Sequence, residues 1–172
     1  KPAGMLAQGT EWGDHCSLLR VSELAFDKPR QSFLIQRLDR EAYGLMIIAH
    51  QQKVAAQLST LFQQRMIEKN YEIQVDGEVS WQQLTVNTPL DGKHAISHFE
   101  NRAYDPLQNR TQLRVKIETG RMHQIRRHCA SIGHPVSGDT RYGRKSRDGL
   151  QLKASRLEFD CPITHKKQIF SC

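Results

Sequence analysis

A strict alternation of apolar and polar side chains over residues 111–118 is the strongest constraint on the fold of this chain. The apolar positions repeat every second residue, as they do in a strand with one buried face, and they are Leu113, Val115 and Ile117. Residues 69–77 show the same period. Because a helix repeats every 3.6 residues, it would scatter these side chains over all its faces. Two half-buried strands are therefore predicted.

Helices are predicted between and after these strands. Residues 53–66 carry apolar side chains at helical spacing, which predicts an amphipathic helix packed on a sheet. Residues 124–132 predict a second helix, ended by Gly133. A short helix at 16–24 and strands at 94–104, 151–159 and 167–171 complete the predicted elements, whereas residues 80–95 are weakly patterned. The chain is thus predicted to form one strand-rich domain over residues 1–172.

Asp39 stands between Arg37 and Arg40, just before an apolar run at residues 45–49. Such a run, ended by polar residues, predicts a short buried strand, and Gly44 would allow a tight entry into it. Asp39 would then lie in a loop at the mouth of that strand, a position that often carries chemistry. The alternative is a surface acid paired with either arginine, an arrangement that contributes little to stability.

The composition favours a polyanionic partner. Lysine and arginine number 25 against 18 acidic residues, a formal net charge of +7, and nucleic acid is the first candidate. No stretch reaches the roughly 18 apolar residues of a membrane span, and no signal-peptide pattern opens the chain. The scattered cysteines predict reduced thiols in a cytoplasmic protein and no metal site; they are Cys16, Cys129, Cys161 and Cys172.

Four short motifs occur in order along the chain. They are Arg37-Leu38-Asp39, Lys69-x-Tyr71, Gly120-Arg121-x-His123-Gln124-Ile125-Arg126 and Gly133-His134-Pro135-x-x-Gly138-Asp139-x-x-Tyr142-Gly143, preceded by a turn at Lys1-Pro2-Ala3-Gly4. The ordered set resembles the RluA family of pseudouridine synthases over nearly the whole chain. The resemblance implies an α+β fold: a mixed, mostly antiparallel sheet with flanking helices and a catalytic cleft across its middle.

The resemblance also implies an activity, the isomerisation of a uridine in ribosomal or transfer RNA to pseudouridine, without a cofactor. It matches Asp39 to the catalytic aspartate and Arg126 to the basic residue that pairs with it. Tyr71 matches the tyrosine that lies against the target base and is a candidate to take its C5 proton. An arginine beside an aspartate keeps the carboxylate ionised and oriented, as a nucleophile needs.

Substrate-binding roles follow from the same resemblance. Ile125 matches the apolar residue that packs on the base, and Arg37 matches the arginine that fills the gap left in the RNA stack when the uridine is flipped out. The remaining predicted substrate-binding residues are Arg121, His123 and Arg127. An RNA stem-loop is the expected substrate because its loop costs less to open than a duplex. A monomer is expected.

The chain departs from the family pattern around Asp39. Gln36 replaces the usual histidine, and Ala42 and Tyr43 replace threonine and serine. These changes motivate an alternative hypothesis, a catalytically impaired RNA-binding protein on the same fold. Many relatives carry an RNA-binding domain of the S4 type, for which this chain has no room before Lys1. Because the chain starts inside a motif, we expect its natural N-terminus to extend further.

Several residues have a purely structural interpretation. Tyr71 could be ordinary strand packing, and Arg126 and Arg127 could form a solvated helix face. The turn at Gly138 and Asp139 is predicted to be structural. The cations of residues 144–147 are predicted to be either solvated or in contact with phosphate. A metal-dependent nuclease would have only the histidines in its favour, and their spacing does not predict a metal site.

Overall fold

In the computed structural model, which describes residues 1–9 and 16–172, the chain divides into two units. The first comprises Lys1–Ile67 with Leu157–Cys172, and the second comprises Glu68–Arg156. None of the helices in the described part of the chain is long and apolar enough to cross a membrane.

The described residues up to 67 in the first unit form two helices and three very short strands. Helix α1 (Leu18–Leu24) is capped by the Ser17 hydroxyl. It is followed by β1 (Phe33–Leu34), β2 (Tyr43–Gly44) and β3 (Ile48–Ala49), and then by α2 (Gln52–Gln63). β1 and β3 pair in antiparallel fashion, and α2 contacts both. A cluster of buried side chains forms the core here: Ala49, Ala55, Leu58, Ile67, Leu157 and Phe159.

The predicted buried strand over residues 45–49 is wrong in its length and burial. Only Ile48 and Ala49 are in a strand, and only Ala49 is buried. Only the end of the run is a strand, because the residue before the run and its last two residues bond to different partners. Gly44, at φ +109°, exchanges backbone hydrogen bonds with Lys1, whereas Ile48 and Ala49 pair with β1.

The second unit is built on an antiparallel sheet. Its strands are β4 (Glu68–Asp76), β5 (Gln83–Val86), β6 (Ser97–Asp105) and β7 (Arg110–Ile117), in the order β4-β7-β6-β5. The alternation that predicted β7 is confirmed, since every second side chain from Thr111 to Ile117 is buried. The register sets Tyr71 of β4 opposite Val115 of β7. The α+β class and the mostly antiparallel sheet are confirmed.

Helix α3 (Gln124–Ser131) follows β7 and contacts β6. Its predicted end is confirmed, because Gly133 has the positive φ of a C-terminal glycine. β8 (Leu152–Asp160) lies beside β4, where the Gln74 N–H donates to the Gln151 carbonyl at 3.2 Å. β8 continues into the first unit and pairs there with β9 (Lys167–Ser171).

The sequence prediction missed β5. Its two apolar residues alternate over only four positions, and only Val86 is buried. β5 ends the strand order, and among the described strands it pairs only with β6. A strand with one partner and one buried side chain leaves little periodic signal in the sequence.

Candidate active site

Gln124, the first residue of α3, holds the start of that helix to its surroundings through four hydrogen bonds. Its amide oxygen accepts from the Thr119 hydroxyl at 2.7 Å and from the Arg121 N–H at 3.0 Å. Its amide nitrogen donates to the Ile96 carbonyl at 2.8 Å and to the Ser97 hydroxyl at 3.1 Å. The side chain is buried and uses its full capacity of two donors and two acceptors. These four hydrogen bonds therefore fix the position of the first turn of α3.

His123 precedes this helix in a left-handed conformation, with φ 53° and ψ 29°. A residue other than glycine adopts that conformation at a cost, and such residues cluster at functional sites. Its Nδ1 lies 3.1 Å from the Tyr142 hydroxyl. The fixed start of α3 and the contact with Tyr142 hold His123 in place.

Arg126 lies on the buried face of α3 and forms a two-point ion pair with Asp139. Its Nε donates to Asp139 Oδ2 at 2.7 Å, and its Nη2 donates to Asp139 Oδ1 at 2.8 Å. The two side chains are 5% and 0% exposed. A solvated helix face is therefore excluded for Arg126. Because Asp139 accepts hydrogen bonds from two nitrogens of the Arg126 guanidinium, it holds the plane of that guanidinium in one orientation.

The environment of Asp139 favours its charged form. Burial alone would raise the pKa of its carboxyl group, but the Arg126 hydrogen bonds and the backbone N–H groups of Arg141 and Tyr142 outweigh that effect and lower the pKa. The two N–H groups donate to Oδ1 at 2.9 and 3.1 Å.

Tyr142 covers this buried pair. The Arg126 guanidinium carbon lies 5.4 Å from the centroid of its ring, close enough for a cation–π contact. The sequence prediction assigned no role to Tyr142 and treated Asp139 only as part of a structural turn. The signal that could have identified both is their place in the Gly-Asp-x-x-Tyr motif that follows α3. The motif alone does not show that the Arg126 side chain points toward Asp139.

The other predicted residues around α3 have defined positions. Ile125 is buried, at 5% exposure. Arg121 donates from Nε to the His94 carbonyl at 3.0 Å. Arg127 is half-buried and binds Asp91 through two hydrogen bonds, at 2.8 and 3.0 Å. The helix and the turn before it thus bring together five predicted site residues, Arg121, His123, Ile125, Arg126 and Arg127.

Tyr71 belongs to the same unit but to the sheet. It is half-buried on β4, two residues before the buried Ile73 and four before the buried Val75. Successive residues of a strand face opposite ways, so Tyr71 shares the apolar face of β4 with both. Its partial burial on that face fits either of the interpretations that the sequence left open.

Asp39 and Arg37 lie together in one loop of the first unit. Asp39 is half-buried and Arg37 is exposed. The predicted turn at residues 1–4 braces this loop, because the Gly4 N–H and the Lys1 ammonium both donate to the Arg40 carbonyl, each at 2.9 Å. Arg40 Nε donates in return to the Gly4 carbonyl at 3.1 Å. Burial lowers the pKa of the Lys1 side chain, although the charges of Glu41 and Asp39 oppose that shift.

The three residues that depart from the family pattern all lie in the first unit, where each is buried or half-buried. The Gln36 side-chain oxygen accepts a long hydrogen bond, 3.4 Å, from the Ile47 N–H. Ala42 is buried at 1% exposure, and Tyr43 is half-buried in β2. Gln36 therefore ties the loop that holds Asp39 to the segment that follows β2.

Histidine, cysteine and acidic side chains are the candidate metal ligands of the chain. Within residues 1–9 and 16–172, no group of three or more of them is arranged to hold a metal ion. His98 is used otherwise: its Nδ1 lies 2.9 Å from the Thr85 hydroxyl and its Nε2 lies 2.7 Å from a carboxylate oxygen of Glu118.

Curated relatives resemble this chain over most of its length. Ribosomal large subunit pseudouridine synthase D of Vibrio cholerae is 30% identical over 166 residues, which cover 80% of this chain and 51% of the relative. An uncharacterized RNA pseudouridine synthase of Aquifex aeolicus is 39% identical over 128 residues, 66% of this chain and 40% of the relative. The matched part of this chain thus spans about half the length of these relatives, or less.

A solved structure supports the fold. Human RNA pseudouridylate synthase domain containing 1 superposes with a TM-score of 0.79, at 20% identity, over 100% of this chain and 77% of that chain. At that identity the likeness concerns the fold alone.

The sequence model of one family, described as RNA pseudouridylate synthase, matches residues 1–131. That range is about three quarters of the 172 residues. It contains three of the four motifs on which the resemblance to the RluA family rested. The chain therefore belongs to the RNA pseudouridylate synthase family.

Proposed function

We propose that this chain isomerises a uridine of ribosomal or transfer RNA to pseudouridine, with Asp39 as the catalytic carboxylate. The observation that carries the proposal is the family match over residues 1–131, since that range contains Asp39, Tyr71 and Arg126. Ribosomal RNA is the first substrate to test, because the Vibrio cholerae relative is named for the large ribosomal subunit. With such a substrate, we expect the protein to act in the cytoplasm, as a monomer and without a cofactor.

The reaction needs no net oxidation, reduction or hydrolysis. The bond between C1′ of the ribose and N1 of the base breaks, the base turns, and a bond forms between C1′ and C5. The proton on C5 is removed, and N1 gains one, so atoms and electrons balance. Asp39 would serve as the nucleophile or as the carboxylate that stabilises the developing positive charge.

Tyr71 and Arg126 would support this chemistry in different ways. Tyr71, on the apolar face of β4, would lie against the base and accept the C5 proton. Arg126 is held in one orientation by Asp139, so its guanidinium can act without first being ordered. The pairing of Arg126 with Asp39 that the family resemblance implies stays a prediction.

The target uridine must leave the RNA stack before its atoms can be reached. Arg37 is exposed, and a planar guanidinium can stack in the gap and bind a phosphate at its edge. Ile125 would pack on the flipped base. Arg121, His123 and Arg127, at the start of α3, would contact the nucleotides around it.

Mapping of pseudouridine in total RNA tests the proposal. A strain that lacks the gene would be complemented with the wild-type protein, with Asp39→Ala, or with Asp27→Ala. Asp27 is an exposed acid of the same unit and serves as the matched control. We expect the wild type and the control to restore a missing pseudouridine and Asp39→Ala to restore none. Restoration by Asp39→Ala would reject Asp39 as the catalytic carboxylate, and no missing site in any RNA would reject the activity.

The second candidate function, RNA binding without turnover, is favoured by the departures at Gln36, Ala42 and Tyr43. It predicts that purified protein binds RNA, that Asp39→Ala binds equally well, and that no pseudouridine forms with either protein. A single pseudouridine produced by the wild type in vitro would eliminate it.

A further inference from the structure

Residues 143–149, called here the basic loop, follow Tyr142 and present three cations to solvent. Arg144, Lys145 and Arg147 are all exposed. The functional roles proposed above do not use them. Two features distinguish this loop from an ordinary solvated one. It is tied down at both ends and in the middle, and its three cations form no ion pair with any acid that the structure describes.

The first end of the basic loop is packed against the turn that precedes it. The Gly143 N–H donates to the Asp139 carbonyl at 3.0 Å. The contact is so close that a Cβ atom at Gly143 would lie 2.8 Å from Cβ of Pro135. The loop therefore starts from the same segment that carries Asp139, the partner of Arg126.

The other end returns to that segment. A Cβ atom at Gly138 would lie 1.9 Å from the Gly149 carbonyl oxygen, so the two backbones touch. Just beyond the loop, the Gln151 N–H donates to the Ser137 carbonyl at 2.9 Å. Both ends of the basic loop are thus closed on residues 135–139.

Arg110, the first residue of β7, holds the middle of the loop. Its Nη2 donates to the Ser146 hydroxyl at 3.1 Å, and its Nη1 donates to Asp148 Oδ2 at 3.1 Å. Arg110 is 18% exposed at its side chain. The only acid of the loop is therefore neutralised from outside it, and the charges of Arg144, Lys145 and Arg147 are left uncompensated.

Several cations elsewhere on the same unit are paired with acids. The pairs join Arg102 and Arg114 to Glu100, Lys116 to Glu68, and Arg127 to Asp91. Within the residues that the structure describes, Arg144, Lys145 and Arg147 form no ion pair with a carboxylate. Three uncompensated cations on a braced loop are suited to a ligand with regularly spaced negative charges.

We propose that the basic loop binds the phosphate backbone of the RNA substrate beside the target nucleotide. This inference rests on the proposed function. The loop begins next to Tyr142, whose ring contacts Arg126, so the phosphates it reaches would flank the nucleotide on which Arg126 acts. Guanidinium groups bind phosphate oxygens at two points, and a loop that is already ordered loses little conformational freedom on binding.

The test measures the affinity for a uridine-containing RNA stem-loop at several salt concentrations. The loop variant carries Arg144→Gln, Lys145→Gln and Arg147→Gln together. Each phosphate contact contributes about 0.7 to the slope of log K against log salt on single-stranded RNA, so we expect the slope to shrink by about 2. Affinity at low salt should fall on the order of a hundredfold. An unchanged slope would overturn the inference.

A control variant removes the same number of positive charges elsewhere. Lys28→Gln, Lys53→Gln and Lys166→Gln replace three exposed lysines of the first unit, and we expect them to change the slope much less. Equal weakening by the two triple variants would assign the effect to net charge and overturn the inference. A third variant, Arg144→Lys with Arg147→Lys, keeps the charge and should keep the slope.

Conversion of uridine by the wild type is measured on the same RNA, which separates the two proposals. If the wild type converts uridine and the loop variant keeps the salt dependence of the wild type, only the proposed role of the basic loop is overturned. Binding that depends on the loop, with no turnover on any RNA, would overturn the proposed activity and support the loop as an RNA-binding element.

Discussion

The guanidinium of Arg126 and the carboxylate of Asp139 form a buried pair joined by two hydrogen bonds, at 2.7 and 2.8 Å. Asp139 also accepts from two backbone N–H groups of the turn that follows it. One carboxylate therefore orients a residue proposed to act in catalysis and closes the turn from which the basic loop starts. The Gly-Asp motif thus has a physical role in the site that the sequence analysis did not predict.

Asp139→Asn should destabilise the protein strongly. An amide cannot match two guanidinium donors, so Arg126 would remain buried with its charge uncompensated. Removing one partner of a buried pair costs about 3–5 kcal/mol, measurable as the free energy of unfolding in urea. Asp91→Asn is the matched control, because the Asp91 side chain that pairs with Arg127 is 64% exposed. This variant should lose far less stability. Equal losses in the two variants would contradict the role of burial.

The sheet and the helices were largely predictable because burial leaves a periodic record. β7 shows it most clearly, with every second side chain from Thr111 to Ile117 buried. β4 and α3 were predicted to within a few residues for the same reason. The run at residues 45–49 misled the prediction because an apolar stretch does not reveal that Gly44 before it bonds to Lys1 and that only its last two residues pair with β1.

The candidate site was predictable as a set of motifs and not as a set of contacts. The motifs placed Arg126 and Asp139 in the right segments, but the separation of 13 positions carries no signal that the side chains meet. Two of the four hydrogen bonds of Gln124 were missed for the same reason, since Ile96 and Ser97 lie in a segment that only the fold brings to it. Arg110 is a further case, because its contacts with the basic loop could be recognised only in the fold, where β7 lies next to that loop.

His128 makes stability depend on pH. It is fully buried, with Nδ1 2.9 Å from the Ser97 hydroxyl and Nε2 3.1 Å from the Thr88 carbonyl. Burial lowers its pKa below the ordinary 6.5, although the Thr88 hydrogen bond opposes that shift, and the Arg127 charge adds to the lowering. The unfolded chain therefore binds a proton more readily, so stability is full above 6.5 and declines as pH falls below it.

The measurement for His128 is the free energy of unfolding across this pH range, for the wild type and for His128→Gln. We expect the variant to be less stable at neutral pH, because it loses two buried hydrogen bonds. Its stability should also depend less steeply on pH below 6.5. Parallel curves for the two proteins would show that His128 is not the titrating group.

Gly138→Ala should be severely destabilising. Gly138 has φ +78°, and a Cβ atom there would lie 1.9 Å from the backbone oxygen of Gly149. Because backbone cannot rotate away as a side chain can, the basic loop would have to move, at a cost of about 2 kcal/mol or more. Gly120→Ala is the matched control, since a Cβ atom added there would meet no other group within 4 Å; we expect a change of about 1 kcal/mol at most. Similar midpoints of thermal unfolding for the two variants would refute the close approach.

The cysteines should differ sharply in their reaction with a maleimide under native conditions. Cys129 is fully buried, and burial raises the pKa of its thiol far above the ordinary value, so it should react only after unfolding. The Thr164 hydroxyl and nearby backbone N–H groups lower the pKa of Cys161 by hydrogen bonding, so Cys161 should react readily. Peptide mapping by mass spectrometry over time measures both rates. Thr164→Val should slow the labelling of Cys161, whereas Thr164→Ser, which keeps the hydroxyl, should not; native labelling of Cys129 as fast as that of Cys161 would contradict the burial of its thiol.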